Sequence, residues 1–257
     1  MVKILFIGDF IGRVGRELVK NYLLAHRKEV DLCIANGENA SGGVGLTSNI
    51  ADELFVVGID VITTGNHIWD KKEIIPYLDK YKTLLRPSNY PPGTPGHGAC
   101  IAKSNNGISV GIINLAGRVF MPMVDCPFRK ALEEIALMKE HTPIIIVDFH
   151  AEATSEKVAM GRFLDGRVSA VIGTHTHIQT ADECVLPNKT AYITDVGMTG
   201  ACDSIIGMEA DTVLQRFLTG IPYRMKPSAG KGELNAVIIK INAEGRAEEI
   251  QRIKEGC

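Results

Sequence analysis

Short apolar runs alternating with stretches of helical periodicity predict an α/β fold with a mixed sheet. Three observations carry this. Residues 3–8, 32–35, 60–64, 108–115, 143–149, 168–172 and 191–194 are apolar runs of strand length. Between most of them, apolar residues recur at three- and four-residue spacing, as on one face of a helix. The chain then closes with two strand-like runs, 234–241 and 247–253, joined by an Asn-Ala-Glu-Gly turn. Such a hairpin points to a mixed rather than a purely parallel sheet. No internal repeat, low-complexity segment or clear linker interrupts the pattern, so residues 1–257 read as a single domain.

The elements follow in order. The first run ends at Asp9, and Gly12 and Gly15 open a helix whose apolar positions include Leu18, Val19, Tyr22 and Leu23. The second run leads into Asn36-Gly37-Glu38-Asn39 and a glycine-rich loop, after which Thr47 is a good N-cap for a helix through Leu54 and Val57. The third run ends in Gly65-Asn66-His67-Ile68-Trp69-Asp70, and the helix expected next should end or kink at Pro76. Residues 87–98 are dense in proline and glycine and read as an irregular loop. Residues 118–127 also read as irregular, and 128–140 as helical. The run 143–149 ends at His150, and Thr154 or Ser155 can cap a helix reaching Leu164, with Gly166 near its end. Gly173-Thr174-His175-Thr176-His177 follows the run 168–172. Residues 195–200 follow the run 191–194 and read either as a tight turn or as pocket lining, and Ser204 should start a helix to about Leu218.

Composition bounds the function. The chain is 45% hydrophobic and 23% charged, which is ordinary for a soluble globular protein. A net charge of −2 carries no strong electrostatic footprint for nucleic acid or an anionic membrane. No apolar run is long enough to span a bilayer, and the N-terminus runs into a strand without a signal peptide's cleavage region. A cytoplasmic location is therefore expected. None of the six cysteines lies in a CxxC pair, so free thiols are expected and cysteine-ligated metal is disfavoured. Residues 8–15 lack both GxGxxG and Gly-Lys-Ser/Thr, which argues against a dinucleotide or P-loop site.

The polar residues gather at strand ends. Asp9, Glu38 with Asn39, Asn66 with His67, His150, and His175 with His177 each follow an apolar run. Each alone has an ordinary explanation as a cap, a turn residue or a core histidine. Together they occupy the same structural position, beyond the carboxyl ends of strands, where sites form in α/β sheets. On extended backbone His175 and His177 would face one side and Thr176 the other. Carboxylate, amide and imidazole donors without thiolate suit Fe, Mn, Zn or Co rather than Mg or Ca. The set is too large for one tetrahedral ion, so two metals are expected, with Glu38 the carboxylate most suited to bridge them. Two divalent ions against Asp9, Glu38 and a bound hydroxide leave a net positive site, which favours an anionic substrate. A metal-activated water attacking phosphorus in line fits that charge, and His67, beside Asn66, is placed to protonate the leaving group. The alternative is that His67 is another ligand or positions phosphate.

These residues resemble the calcineurin-like metallophosphoesterases. The turn Gly65-Asn66-His67, the lone His150 and the Gly-x-His-x-His motif at 173–177 occur in that superfamily's order. Two departures stand out: Asp9-Phe10-Ile11 replaces the usual Asp-x-His, and Asn36-Gly37-Glu38-Asn39 replaces Gly-Asp-x-x-Asp. Both are similar to a narrower bacterial family, the 2′,3′-cyclic-nucleotide 2′-phosphodiesterases. Further matching blocks include Asp148-Phe149-His150-Ala151-Glu152-Ala153-Thr154-Ser155-Glu156-Lys157 and Thr194-Asp195-Val196-Gly197-Met198-Thr199-Gly200. The resemblance implies a four-layer α-β-β-α sandwich of two mixed sheets flanked by helices. It implies an oligomer and a di-metal centre of iron or manganese, with zinc as the alternative. It assigns Asp9, Glu38, Asn39, Asn66, His150, His175 and His177 as ligands, Glu38 as the bridge, Asn39 as the substitute for the missing histidine, and His67 as general acid. It pairs His177 with the metal near Asp9, and His175 with the one near Asn66 and His150.

The expected activity is hydrolysis of small phosphodiesters, foremost 2′,3′-cyclic nucleotides. The alternatives are a phosphomonoesterase or nucleotidase built on the same di-metal core, and a regulatory protein that binds a nucleotide or RNA with turnover secondary. The absence of a dense Lys/Arg tract weighs against an RNA platform.

Overall fold

A computed structural model describes all residues, 1–257. The strands are β1 (Val2–Ile7), β2 (Asp9–Phe10), β3 (Leu32–Asn36), β4 (Val61–Thr63), β5 (Ala99–Lys103), β6 (Ser109–Ala116), β7 (Ile145–His150), β8 (Ala170–Thr174), β9 (Cys184–Val185), β10 (Ala191–Ile193), β11 (Met198–Ala201), β12 (Gly232–Ile241) and β13 (Ala247–Gly256). The helices are α1 (Gly12–His26), α2 (Ser48–Val56), α3 (Ile75–Leu78), α4 (Pro127–Lys139), α5 (Thr154–Leu164) and α6 (Ala210–Thr219).

These strands form two mixed sheets. The first has the order β2-β11-β12-β1-β3-β4, with β13 also paired to β12, and the second β5-β6-β7-β8-β10-β9. Within the first, β1, β3 and β4 run parallel and β12 runs antiparallel to β1. Within the second, β6, β7, β8 and β10 run parallel, closed by antiparallel β5 and β9.

Period-two alternation explains the layering. Along β1, Val2, Ile4 and Phe6 face the second sheet, while Leu5 and Ile7 face the helices α1 to α3. Along β7, Ile146 faces the first sheet, and Ile145, Val147 and Phe149 pack on α4 and α5. Three apolar clusters result, one between the sheets and one under the helices on either outer face. The protein is the α-β-β-α sandwich that the resemblance implied.

Local departures have physical reasons. Pro76 starts α3 instead of ending a helix, because proline lacks only an N–H that the first turn would leave free. Thr47 does cap α2, accepting from the Ile50 N–H at 3.4 Å. At α5 the capping position is Ala153, with no side-chain cap, and Thr154 is the first helical residue. The helix expected from Ser204 begins only at Ala210, because Ile206 and Gly207 take positive φ in a turn. The strands β2, β5, β9 and β11 lie outside the apolar runs that predicted strands. Cys202 and Cys257 form a disulfide, against the expectation of free thiols, while Cys33, Cys100, Cys126 and Cys184 are free. No helix is long and apolar enough to cross a membrane.

Candidate metal centre

The columns of side chains between the sheets are apolar at their base and turn polar at the carboxyl ends of the strands. Ile146 is followed on the same face by Asp148 and His150, Ile34 by Asn36, and Ile172 by Thr174. Asp9, Asn36, Glu38, Asn114, Asp148, His150 and Thr174 are all fully buried. The two sheets join here through Asn36 Nδ2, which donates to Asp148 Oδ2 at 3.1 Å, and the Thr64 N–H, which donates to Asn114 Oδ1 at 3.0 Å.

His150 Nε2 is the centre of this layer. It lies 3.0 Å from Glu38 Oε1, 3.2 Å from Asn66 Oδ1 and 3.0 Å from His175 Nδ1. A carboxylate and an amide oxygen can only accept, and one ring proton cannot serve three neighbours. Glu38, His150 and His175 each offer a donor atom within 4.8 Å of the others, a spacing that fits one cation. A second convergence lies beside it. Asn39 Nδ2 sits 3.3 Å from Glu38 Oε1 and 3.4 Å from His177 Nε2. Asp9 Oδ2 accepts the His175 backbone N–H at 3.1 Å, and its buried Oδ1 has no partner. An orphaned carboxylate oxygen in a dry layer is costly unless a cation meets it. The donor set therefore fits resident metal. Gly65 shapes the approach, since a Cβ there would collide with both His150 and Glu38.

The surroundings hold these donors in place. His150 Nδ1 lies 2.9 Å from Thr174 Oγ1, which itself donates to Asp148 Oδ1 at 2.7 Å. The Thr174 hydroxyl thus accepts the Nδ1 proton and leaves Nε2 facing the cluster. His175 Nε2 pairs with Glu152 Oε2 at 2.9 Å, which turns Nδ1 inward. His67 donates its backbone N–H to Glu38 Oε2 at 3.1 Å, and its Nδ1 lies 2.8 Å from Asp70 Oδ2.

Charge settles in the same pattern. Burial pushes the Glu38 carboxyl up, but the His150 imidazole outweighs it and holds Glu38 at about 2. Burial depresses His150, and the Glu38 carboxylate more than reverses this, raising it to about 9. His175 is pushed down to about 3 by burial and by its neighbour His150. Burial raises Asp9, and lifts Asp148 to about 6 against the pull of His150.

His175 and His177 do not take the extended backbone that the motif predicted. Both follow β8 with positive φ, 99° and 66°. Thr176 does turn away, as expected. Its N–H and Oγ1 donate to Asp195 Oδ2 at 3.0 and 2.7 Å, and the same oxygen pairs with Lys157 Nζ at 2.6 Å. Lys157 and Asp195 are buried, so an ion pair beneath Thr176 supports the strained loop. Asp195 supports the loop from below and does not line the cavity above it.

Asp9, Glu38, Asn39, Asn66, His67, His150, His175 and His177 thus form one connected network. Sequence reasoning assigned no role to Asp70, Asp148 or Glu152, and missed the pairing of Lys157 with Asp195. Asp148 could have been found from its i−2 spacing to His150 on a strand, and Asp70 from its i+3 spacing to His67 on a 3₁₀ turn. The Lys157–Asp195 pair spans 38 residues and leaves no local signal.

The model of the YmdB-like proteins matches residues 5–253. The chain belongs to the YmdB-like family. A 2′,3′-cyclic-nucleotide 2′-phosphodiesterase of Bacillus subtilis is 51% identical over 255 residues, covering 98% of this chain and 96% of that one. A Thermus thermophilus structure, described as that of a hypothetical protein, superposes with a TM-score of 0.93 at 43% identity, over 99% of both chains. A Mycoplasma pneumoniae structure described as a novel phosphatase superposes with a TM-score of 0.92 at 34% identity, over 99% of this YmdB-like chain and 93% of its own.

Proposed function

We propose that this chain is a two-metal phosphodiesterase acting on small phosphodiesters, foremost 2′,3′-cyclic nucleotides. Its reading as a phosphodiesterase is borne out by the Bacillus subtilis relative. The observation that carries the metal reading is the convergence of Glu38, Asn66 and His175 on His150 Nε2. Asn66, His150 and His175 would hold one ion, and Asp9, Asn39 and His177 the other, with Glu38 touching both groups. Iron or manganese suits these donors, with zinc as the alternative. Such ions supply a Lewis acid for phosphate oxygens and a water of lowered pKa.

The chain's own residues supply the rest. Asp70 takes one side of His67 at Nδ1, which leaves Nε2 to hand a proton to the departing oxygen. The nearly buried layer below excludes water from the donor side. Residues 1–257 act as one domain in this reading, supported by a family match that runs nearly end to end.

The test is turnover of 2′,3′-cyclic AMP and bis-p-nitrophenyl phosphate by protein loaded with Mn or Fe. Hydrolysis lost on chelation and restored by metal is expected, and no turnover with any metal overturns the proposal. The phosphatase description of the Mycoplasma structure keeps a monoesterase reading in play. Rates on matched monoester and diester substrates decide between them.

A further inference from the structure

The cavity above the cluster, of about 280 Å³, has two kinds of wall. The polar part is made by Glu38, Asn39, His67, Glu152, His175, Thr176 and His177. The apolar part is made by Val44, Ile206 and Met208, with no hydrogen-bonding side chain among the three.

The apolar side rests on a two-residue turn. Ile205 and Met208 exchange backbone hydrogen bonds of 2.9 and 3.0 Å, and Ile206 and Gly207 between them take φ of 46° and 94°. Turns with positive φ at both central residues favour Asn or Asp followed by glycine. Gly207 meets that demand and Ile206 does not, since a β-branched residue there is strained. Core packing does not explain the choice, because the Ile206 side chain is 48% exposed. Its carbonyl lies 3.1 Å from His177 Nδ1, so His177 donates there and turns Nε2 toward Asn39. The same residue thus touches the cluster and overhangs the cavity. Met208 packs against Gly43. Gly43 takes a φ of 87° that favours glycine, and a Cβ there would lie 2.9 Å from both Met208 Cε and Pro227 Cγ.

We infer that Val44, Ile206 and Met208 form the seat for the substrate's nucleobase, beside the phosphate-handling cluster, with Ile206 as a specificity-determining residue. This rests on the phosphodiesterase reading above. Aliphatic and thioether surfaces take a flat apolar ring face, and the small cavity suits a mononucleotide rather than a polymer. With no polar side chain on the seat, bases are told apart by size rather than by their hydrogen-bonding edges.

The experiment compares 2′,3′-cyclic AMP with base-free ribose 2,3-cyclic phosphate on the Mn-loaded protein. The wild type favours the nucleotide in kcat/KM. Met208→Ala and Ile206→Asn each cut that preference about tenfold, through KM for the nucleotide. Asn suits the turn, so Ile206→Asn keeps or raises the melting temperature and separates the effect from unfolding. Calorimetric titration with adenosine 3′-monophosphate against ribose 3-phosphate reads the same seat without turnover. A wild type that turns over neither substrate overturns the phosphodiesterase reading, and the titration still decides the seat. An unchanged preference in both variants, or equal losses on both substrates and both titrants, overturns the seat.

Discussion

The space between the two sheets has a lower and an upper half, built on the same strands. In the lower half, residues such as Ile34, Ile146 and Ile172 belong to one apolar cluster of 21 buried residues that holds the sheets together. Further along the same strands, Asn36, Asp148, His150 and Thr174 are just as buried and wholly polar. The lower half gains from burial, at roughly 25 cal/mol per Å² of apolar surface. The upper half gains far less, since a satisfied buried hydrogen bond adds only about 1 kcal/mol and an unpaired polar group is a net cost. A fold does not need this upper layer, and its orphaned Asp9 Oδ1 and crowded His150 Nε2 mark it as built for something it binds.

That contrast can be broken from either side. The largest effect belongs to Glu38→Gln, which touches both convergences of the upper half. It should lower turnover by more than about a hundredfold, the scale already reached by changes in groups that merely orient ligands. Metal content falls with it, while circular dichroism of the metal-free protein stays native. Loss of fold instead would make Glu38 a structural residue.

Lys157→Met comes next, because it leaves the buried Asp195 carboxylate without its only cationic partner, held by neutral donors alone. Breaking such a pair costs about 3–5 kcal/mol, read in a denaturant titration. Metal affinity should fall as well, since Lys157 holds Asp195 under the Thr176 loop and itself donates to Thr176 Oγ1 at 3.4 Å. A variant equally stable and equally metallated would separate the pair from the histidine loop.

In the lower half, Ile146→Ala should cost about 2–5 kcal/mol by leaving a cavity. Metal content per folded molecule should not change, and a change would mean the halves are not independent. The smallest effect is chemical. Burial pushes the Cys100 thiol, packed against the lower cluster, up to about 12. Iodoacetamide should therefore label it far more slowly at pH 8 in the folded protein than in the unfolded one, with the rate rising as pH climbs toward that value. Rapid native labelling at pH 8 would mean the lower half is not dry.

The two halves also differed in how readable they were. Apolar runs such as 3–8 and 143–149 announced β1 and β7, because burial on both faces needs a continuous hydrophobic string. The polar residues at their ends were legible for the same reason, since each interrupts a string at a fixed place. Two sheets rather than one emerged from the resemblance and not from the runs, because strand order depends on contacts far apart in sequence. The positive φ of His175, His177 and Ile206 was invisible, since none of these residues favours that conformation. Tertiary partners such as Asp195 and Ile206 had to be present before those backbone shapes made sense. The Cys202–Cys257 bond lay beyond reach too, joining residues 55 apart with no motif around either.

The central claim is that the upper half is a two-metal centre bridged by Glu38. Anomalous diffraction from crystals of the manganese-loaded protein tests it most directly. Two peaks are predicted, one against Asn66, His150 and His175, the other against Asp9, Asn39 and His177, with Glu38 between them. A single peak, or peaks away from these side chains, would contradict it.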